Sequence, residues 1–235
     1  MSKRIGALLC ALLFLGVLLF LPLAESRTDA EVSAYPSMGF TVVLDAGHGG
    51  EDGGAIGIRT LAREKDINLS IVKKLARLFE SVGADVVLTR SDENALCRGK
   101  YSKAEDMRAR AAIVEAAKPY FVISVHCNSF PQSKSVCGAQ MFYFPGSVTG
   151  ERLADDIQEA LRAYVDPENT RSAKAENFFM LRHGNSTNVM VECGFLSSPE
   201  EEALLCDETY QDHLAYAVFA GTCAYYSRIG LPQNY

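Results

Sequence analysis

The chain has 235 residues, a formal net charge of -6 and 22% charged side chains. This composition excludes a disordered chain, and the acidic balance argues against nucleic-acid binding, which usually requires a basic surface. We therefore expect no nucleic-acid partner. Once the apolar N-terminus is set aside, the remaining length suits one α/β domain with a sizeable core and leaves no room for a second domain.

An uncharged apolar run begins the chain. It extends from Ile5 to Ala24 and follows Lys3 and Arg4. About twenty helical residues reach roughly 30 Å, the thickness of a bilayer core, whereas the apolar part of a cleaved signal is usually about 7 to 15 residues long. Basic residues in front of such a run stay on the cytoplasmic side. The pattern predicts that residues 1–26 anchor an exported domain on the outer face of the cytoplasmic membrane.

The stretch after this run is polar. Ala24-Glu25-Ser26 presents small residues at the two positions that a signal peptidase reads, so cleavage after Ser26 followed by secretion is the alternative. Residues 27–39 contain Pro36 and Gly39 and are typical of a linker. The predicted domain then occupies residues 40–235.

Short β-rich runs alternate with amphipathic helical runs through this domain. In chain order, the patterns predict a strand at 40–45, a helix at 64–82, a strand at 85–89, a helix at 104–117, strands at 120–126 and 138–144, a helix at 149–164, a strand at 187–192 and a helix at 210–226. Strands that are apolar on both faces and joined by helices are typical of parallel sheets. We predict a single α/β domain with an open, mostly parallel sheet covered by helices on both faces.

The seven cysteines do not form a recognisable zinc or disulfide pattern, because the sequence contains no Cys-x-x-Cys pair. Cys127, Cys137 and Cys193 lie in apolar strand-like runs, and Cys223 lies on the apolar face of a helical run. A free thiol in such surroundings behaves as a small hydrophobe. We therefore expect buried, unpaired thiols.

Ionisable residues follow three of the predicted strands. His48 comes after the first strand, His126 ends the central strand and Glu192 ends the strand at 187–192. Because ligands bind beyond the carboxyl ends of such strands, these side chains are expected at one edge of the sheet. Two histidines and a carboxylate form a zinc site that stays open to water or substrate. The candidates for the third ligand are Glu51, Asp52, Glu64 and Glu192.

Four sequence blocks carry a family resemblance. They read, in order, DAGHGGEDGGAIG, EKDINL, SVHCNS and VECGFLSSPEE. Together they resemble the signature blocks of zinc-dependent N-acetylmuramoyl-L-alanine amidases of the third amidase type, over about residues 40 to 228. An anchor followed by a lone catalytic domain is similar to the germination-specific, spore-cortex members. The resemblance implies hydrolysis of the amide bond between N-acetylmuramic acid and the L-alanine of the peptidoglycan stem peptide, in sporulation or germination.

The resemblance also implies roles for four residues. It places zinc on His48, Glu64 and His126 and makes Glu192 the catalytic carboxylate. Zinc lowers the pKa of a bound water towards about 7 and polarises an amide carbonyl. Glu192 is then expected to accept the proton of the water and deliver it to the departing nitrogen. A fourth protein ligand would fill the open position, so this interpretation keeps Glu192 off the metal.

Other polar residues near the blocks have two interpretations each. Asp45 is a candidate for orienting a ligand imidazole, and Asn128 for holding substrate or water near His126, although both also suit turns. Arg90 and Arg110 are candidates for contacting wall carboxylates, although such arginines are usually solvated or paired at the surface.

Control and targeting are expected to come from outside the domain. The stretch from Cys127 to Cys137 is too short for the occluding helix of some division amidases, and the sequence contains no wall-binding repeats. The expected partners are peptidoglycan and the membrane, through the N-terminal segment, with an activating lipoprotein as a further candidate. Two alternatives remain open: a zinc peptidase that cuts the stem peptide, and a non-catalytic wall-binding scaffold.

Overall fold

The structure is a computed structural model that describes residues 39–97 and 99–229. The predicted anchor at residues 1–26 and all of the predicted linker except Gly39 lie outside these residues. Within the part described, no helix combines the length and apolarity needed to cross a bilayer.

Six strands form one sheet with the order β2-β1-β3-β6-β4-β5. The strands are β1 (Thr41–Ala46), β2 (Asp85–Leu88), β3 (Phe121–Asn128), β4 (Gln140–Tyr143), β5 (Lys174–Ala175) and β6 (Thr187–Phe195). All neighbouring pairs are parallel except β4 and β6, which are antiparallel. The five predicted strands are therefore confirmed, and the two-residue strand β5 is an addition too short to leave a sequence pattern.

Among the described residues, five helices surround the sheet. They are α1 (Glu64–Ser81), α2 (Lys103–Ala117), α3 (Val148–Tyr164), α4 (Pro199–Leu205) and α5 (Glu208–Ile229), and a 3₁₀ turn spans Phe179–Arg182. The four predicted helices are confirmed, whereas α4 was not predicted. Its signal is present, because Ser198 accepts a capping hydrogen bond from Glu201 N and Pro199 occupies the first turn.

Alternation along the strands assigns the two faces of the sheet. Val42 and Leu44 belong to the large core beneath α1, α3 and α5, whereas Val43 packs with Val122 and Val114 of α2. Successive side chains of a strand point to opposite faces. Both faces are thus buried under helices, which confirms the predicted architecture. The same alternation places Ser124 and His126 of β3 on the face that α2 covers.

The cysteines are unpaired within the described residues, but their burial differs from the expectation in part. Cys127 and Cys193 are buried, and Cys223 is half-buried. Cys137 is exposed, so its predicted burial was wrong. It lies in the loop that precedes β4, outside the strand that its apolar neighbours suggested.

Candidate active site

A glycine-rich turn follows β1 and forms one side of the site. His48 adopts a left-handed conformation with φ 63°. The preceding residue must be glycine, because a Cβ on Gly47 would lie 2.2 Å from Cε1 of His126. The turn therefore brings the backbone of β1 directly against one imidazole while it presents the second. The rings lie edge to face, with centroids 5.1 Å apart.

Three donor atoms converge at the carboxyl edge of the sheet. Oε1 of Glu64 lies 3.1 Å from Nε2 of His48 and 3.0 Å from Nδ1 of His126. Each residue offers one ligand atom, and the three atoms lie within 4.8 Å of one another. A tetrahedral zinc ion with bonds of about 2.0 Å separates neighbouring ligand atoms by about 3.3 Å. Donor type and spacing both fit such an ion.

Glu64 is held as a carboxylate by its surroundings. Its Oε2 accepts a hydrogen bond from Ala55 N at 2.7 Å, and its Oε1 accepts from Cys127 N at 3.1 Å and from Asn68 Nδ2 at 3.2 Å. Burial by itself would raise the pKa of Glu64, but hydrogen bonds and charge from the two imidazoles lower it well below its ordinary value. The group is therefore ionised at neutral pH, as a metal ligand must be.

The other candidates for the third ligand lie elsewhere. Glu51 is exposed. Asp52 lies beside the second nitrogen of His48, with Oδ2 2.9 Å from Nδ1, although the atoms are not aligned for a hydrogen bond. Asp52 is itself fixed by the hydroxyl of Tyr101, which donates to Oδ2 at 3.0 Å. Asp52 thus occupies the place of the carboxylate that often supports a ligand histidine.

Glu192 has a different environment from Glu64. It pairs in register with His126 on the neighbouring strand, yet its buried Oε2 has no hydrogen-bond partner among residues 39–97 and 99–229. Burial raises the pKa of Glu192 to about 7, and the Glu64 charge adds to this while the two imidazoles oppose it. A carboxyl group with such a pKa exchanges protons near neutral pH.

Asp45 does not orient an imidazole, and the side chain of Asn128 accepts a hydrogen bond from its own loop. Asp45 is 1% exposed, and its carboxylate accepts hydrogen bonds from Thr89, Ser124 and Arg110 instead of orienting an imidazole. Asn128 Oδ1 accepts a hydrogen bond from Ser129 N at 2.8 Å, and its role in holding substrate or water stays a prediction. The predicted orienting role of Asp45 was wrong because the strand directs its side chain beneath the turn.

Arg90 and Arg110 are buried, so their expected exposure to substrate or solvent was wrong. Arg90 donates to the carbonyl oxygens of Ala46 at 2.9 Å and Gly47 at 3.0 Å. Arg110 donates to those of Ala46 at 2.7 Å and His48 at 2.5 Å. The two guanidinium groups therefore bind the carbonyls of three successive residues, Ala46, Gly47 and His48.

A cavity of about 180 Å³ opens beside the two imidazoles. Besides His48 and His126, its lining includes Tyr101, Lys103, Met107, Phe178, Met180 and Met190. Several of these residues come from the start of α2 and from the 3₁₀ turn, which are far apart in the sequence. The sequence patterns therefore did not predict this cavity.

The fold and site together define a class of protein. An open α/β sheet carries two imidazoles and a carboxylate at its carboxyl edge, with a second, unpartnered carboxyl group beside them, an arrangement similar to that of metal-assisted hydrolases. The sequence model of the N-acetylmuramoyl-L-alanine amidase family (Amidase_3) matches residues 42–224. The chain belongs to this family, which confirms the resemblance seen in its sequence blocks.

Individual relatives agree with this assignment. The chain is 31% identical to the germination-specific N-acetylmuramoyl-L-alanine amidase of Bacillus subtilis (strain 168) over 241 residues, which cover 100% of each chain. It is 38% identical to the CwlD amidase from Clostridioides difficile, solved in complex with the GerS lipoprotein, with a TM-score of 0.78 over 80% of this chain and 99% of that chain. An N-acetylmuramoyl-L-alanine amidase from Clostridium difficile 630 is 31% identical, with a TM-score of 0.74 over 83% and 100%.

Proposed function

We propose that the protein is a zinc amidase that cleaves the bond between N-acetylmuramic acid and L-alanine in peptidoglycan, and that it processes the spore cortex in sporulation or germination. The observation that carries the proposal is the group His48, Glu64 and His126 beside the unpartnered carboxyl of Glu192. The germination-specific relative, similar over its whole length, supports the cortex as the substrate.

The proposed metal ligands are Nε2 of His48, Oε1 of Glu64 and Nδ1 of His126. When bound, zinc supplies an acidified water and a Lewis acid for the amide carbonyl. Three protein donors leave a position open for these groups. The two buried arginines hold the turn that presents His48, and Asp52 lies beside its second nitrogen, so the donors are arranged before substrate arrives.

Glu192 is the proposed general base and then general acid. Its Oε2 accepts no hydrogen bond within the described residues, so this oxygen is available to a water molecule. Its pKa of about 7 lets the group take a proton from water and return it to a leaving amine. Glu64 cannot share this work, because both of its oxygens already accept hydrogen bonds.

We further propose that residues 40–235 are the catalytic domain and that it works outside the cell. Probable cell-wall amidases among the relatives support export. The apolar run from Ile5 to Ala24 supports attachment to the outer face of the membrane, with cleavage after Ser26 and secretion as the alternative. The complex of the similar CwlD amidase with a lipoprotein supports a lipoprotein as partner.

Mass spectrometry of muropeptides tests the proposal. Purified protein is incubated with cortex peptidoglycan in the presence of zinc, and in parallel with a chelator. An amidase releases intact stem peptide with a free L-alanine amine and leaves an unsubstituted lactyl carboxyl on the glycan. The chelator should abolish this release, and added zinc should restore it.

The same spectra distinguish the alternatives. A zinc peptidase shortens stem peptides that stay attached to the glycan. A wall-binding scaffold co-sediments with peptidoglycan and gives no new product with zinc. Either result contradicts the proposed reaction.

A further inference from the structure

Lys103 is a cation that the proposed reaction does not use. It begins α2, is exposed, and lines the same cavity as His48 and His126. No carboxylate in the described ranges 39–97 and 99–229 forms an ion pair with it. One cavity is therefore lined both by a positive charge without an ion-pair partner in the described residues and by two residues of the candidate metal site.

The three acidic residues that line the same cavity are already engaged, and Asp45 accepts hydrogen bonds from Thr89, Ser124 and Arg110. Asp52 accepts hydrogen bonds from Tyr101 Oη and from the main chain of Gly54. Asp106 accepts from Arg110 Nε at 2.7 Å and from the main chain of Leu96 at 2.6 Å. These contacts leave the charge of Lys103 available to a ligand.

The cavity that Lys103 shares with the imidazoles also has apolar lining. This lining includes Met107 of α2, Phe178 and Met180 around the 3₁₀ turn, and Met190 of β6. Flexible thioethers and an aromatic ring suit the aliphatic part of a ligand. An exposed cation and apolar side chains in one cavity suit a ligand that carries a carboxylate next to a short aliphatic segment.

The chemistry of the substrate decides which side of the scissile bond matches this cavity. The glycan side carries no charge, because the lactyl carboxyl is consumed in the amide. The stem peptide carries carboxylates. The nearest is the α-carboxylate of the γ-linked D-glutamate that follows L-alanine, and one residue spans roughly 3.5 Å.

We propose that this cavity is the subsite for the peptide side of the substrate, where Lys103 binds the free α-carboxylate of the second stem residue. The inference rests on the proposed amidase function. It implies a preference for stem peptides with a free carboxylate over those in which this group is amidated. Electrostatic complementarity of this kind sets specificity more than total affinity.

Two disaccharide dipeptides test the subsite, one ending in D-isoglutamate and one in D-isoglutamine. They differ only in the carboxylate or amide. We expect the protein to favour the acid by about tenfold in kcat/KM, the size of one charge-assisted hydrogen bond. Lys103→Met should lose this preference through a higher KM for the acid alone, and Lys103→Arg should retain it.

Lys100→Met is the matched control, because Lys100 is also exposed and does not line the cavity. It should keep the preference. Lys103→Met is expected to fold, since a cation in the first turn of a helix does not stabilise it. Equal turnover of both peptides by the unmodified protein would overturn the inference, as would an equal loss on both peptides in Lys103→Met.

Binding to a catalytically disabled form separates this inference from the proposed function. Calorimetry with Glu192→Gln, alone and combined with Lys103→Met, measures the affinity for each peptide without turnover. A preference for the acid that disappears with Lys103→Met supports the subsite even if the unmodified protein cleaves neither peptide. Absence of any preference in Glu192→Gln overturns the subsite even if both are cleaved.

Discussion

Replacing Arg110 by lysine keeps a buried positive charge but removes the guanidinium fork. Arg110 is 1% exposed and donates to Asp106 and Asp45 at 2.7 Å each, and to the carbonyls of Ala46 and His48. A lysine ammonium is a compact donor that cannot reach four acceptors in different directions. The substitution should therefore destabilise the protein and release the turn that presents His48.

The expected loss in the free energy of unfolding depends on which acceptors of Arg110 lose their hydrogen-bond donor. Removing one member of a buried ion pair costs about 3–5 kcal/mol. Lysine retains the charge, so the loss should be smaller, and a buried carbonyl left without a donor adds about 1–3 kcal/mol. We expect the free energy of unfolding to fall by about 2–4 kcal/mol. With a urea m-value of about 2 kcal/mol/M, the midpoint should shift by about 1–2 M.

Urea unfolding followed by circular dichroism measures this shift, and zinc affinity is measured on the folded variant by competition with a chelator. Arg108→Lys is the control, because Arg108 is exposed on the same helix. Its midpoint should not change. If Arg110→Lys unfolds at the same urea concentration as the unmodified protein, the buried fork does not stabilise the turn and the reasoning is refuted.

Three shorter predictions concern metal, catalysis and acid stability. His126→Ala should lose stoichiometric zinc by elemental analysis, and a full equivalent would remove it from the ligand set. Glu192→Gln should keep zinc and fold but lose about 10² to 10⁴-fold in kcat, and loss of zinc instead would make it a ligand. Burial alone would raise the pKa of Asp45, but Arg110 and two hydroxyls lower it. Asp45 therefore stabilises the fold above about pH 4, and this stabilisation is lost as pH falls through the folded pKa. Asp45→Asn should flatten the fall in urea midpoint below about pH 4, and an unchanged slope would show that Asp45 does not contribute.

The fold could be predicted because the strands are apolar on both faces and the longer helices are amphipathic. Alternation cannot reveal elements as short as β5 or α4, whose stability depends on tertiary contacts. One contact of α4 shows this. Glu202, fully buried, accepts hydrogen bonds from the main chain of Arg59 and Thr60 at 2.8 and 2.7 Å. The partners lie more than 140 residues apart, beyond the reach of any local pattern.

Part of the site could be predicted from the positions of its residues relative to the strands. His48, His126 and Glu192 follow strands, so the rule for parallel sheets places them at one edge. The third donor, Glu64, begins a helix, and spacing could not separate it from its acidic neighbours. Arg110 was misjudged because arginine is usually exposed. Its burial depends on Asp45, brought to it by the sheet from 65 residues away.

Two carboxyl groups in one site have opposite environments, and this difference argues for their separate roles. Glu64 accepts hydrogen bonds from main-chain and side-chain donors and lies between two imidazoles, so its pKa falls and it stays ionised. Glu192 is buried with an unpartnered oxygen, and its pKa rises to about 7. Titratable groups whose environments separate their pKa values divide the work of a site between them. A permanent carboxylate suits a metal ligand, and a group that gains and loses a proton near neutral pH suits proton transfer. The hydrogen-bond donors around Glu64 come from α1, from β3 and from the loop that precedes α1. For the two carboxyl groups to exchange roles, all of these donors would have to move.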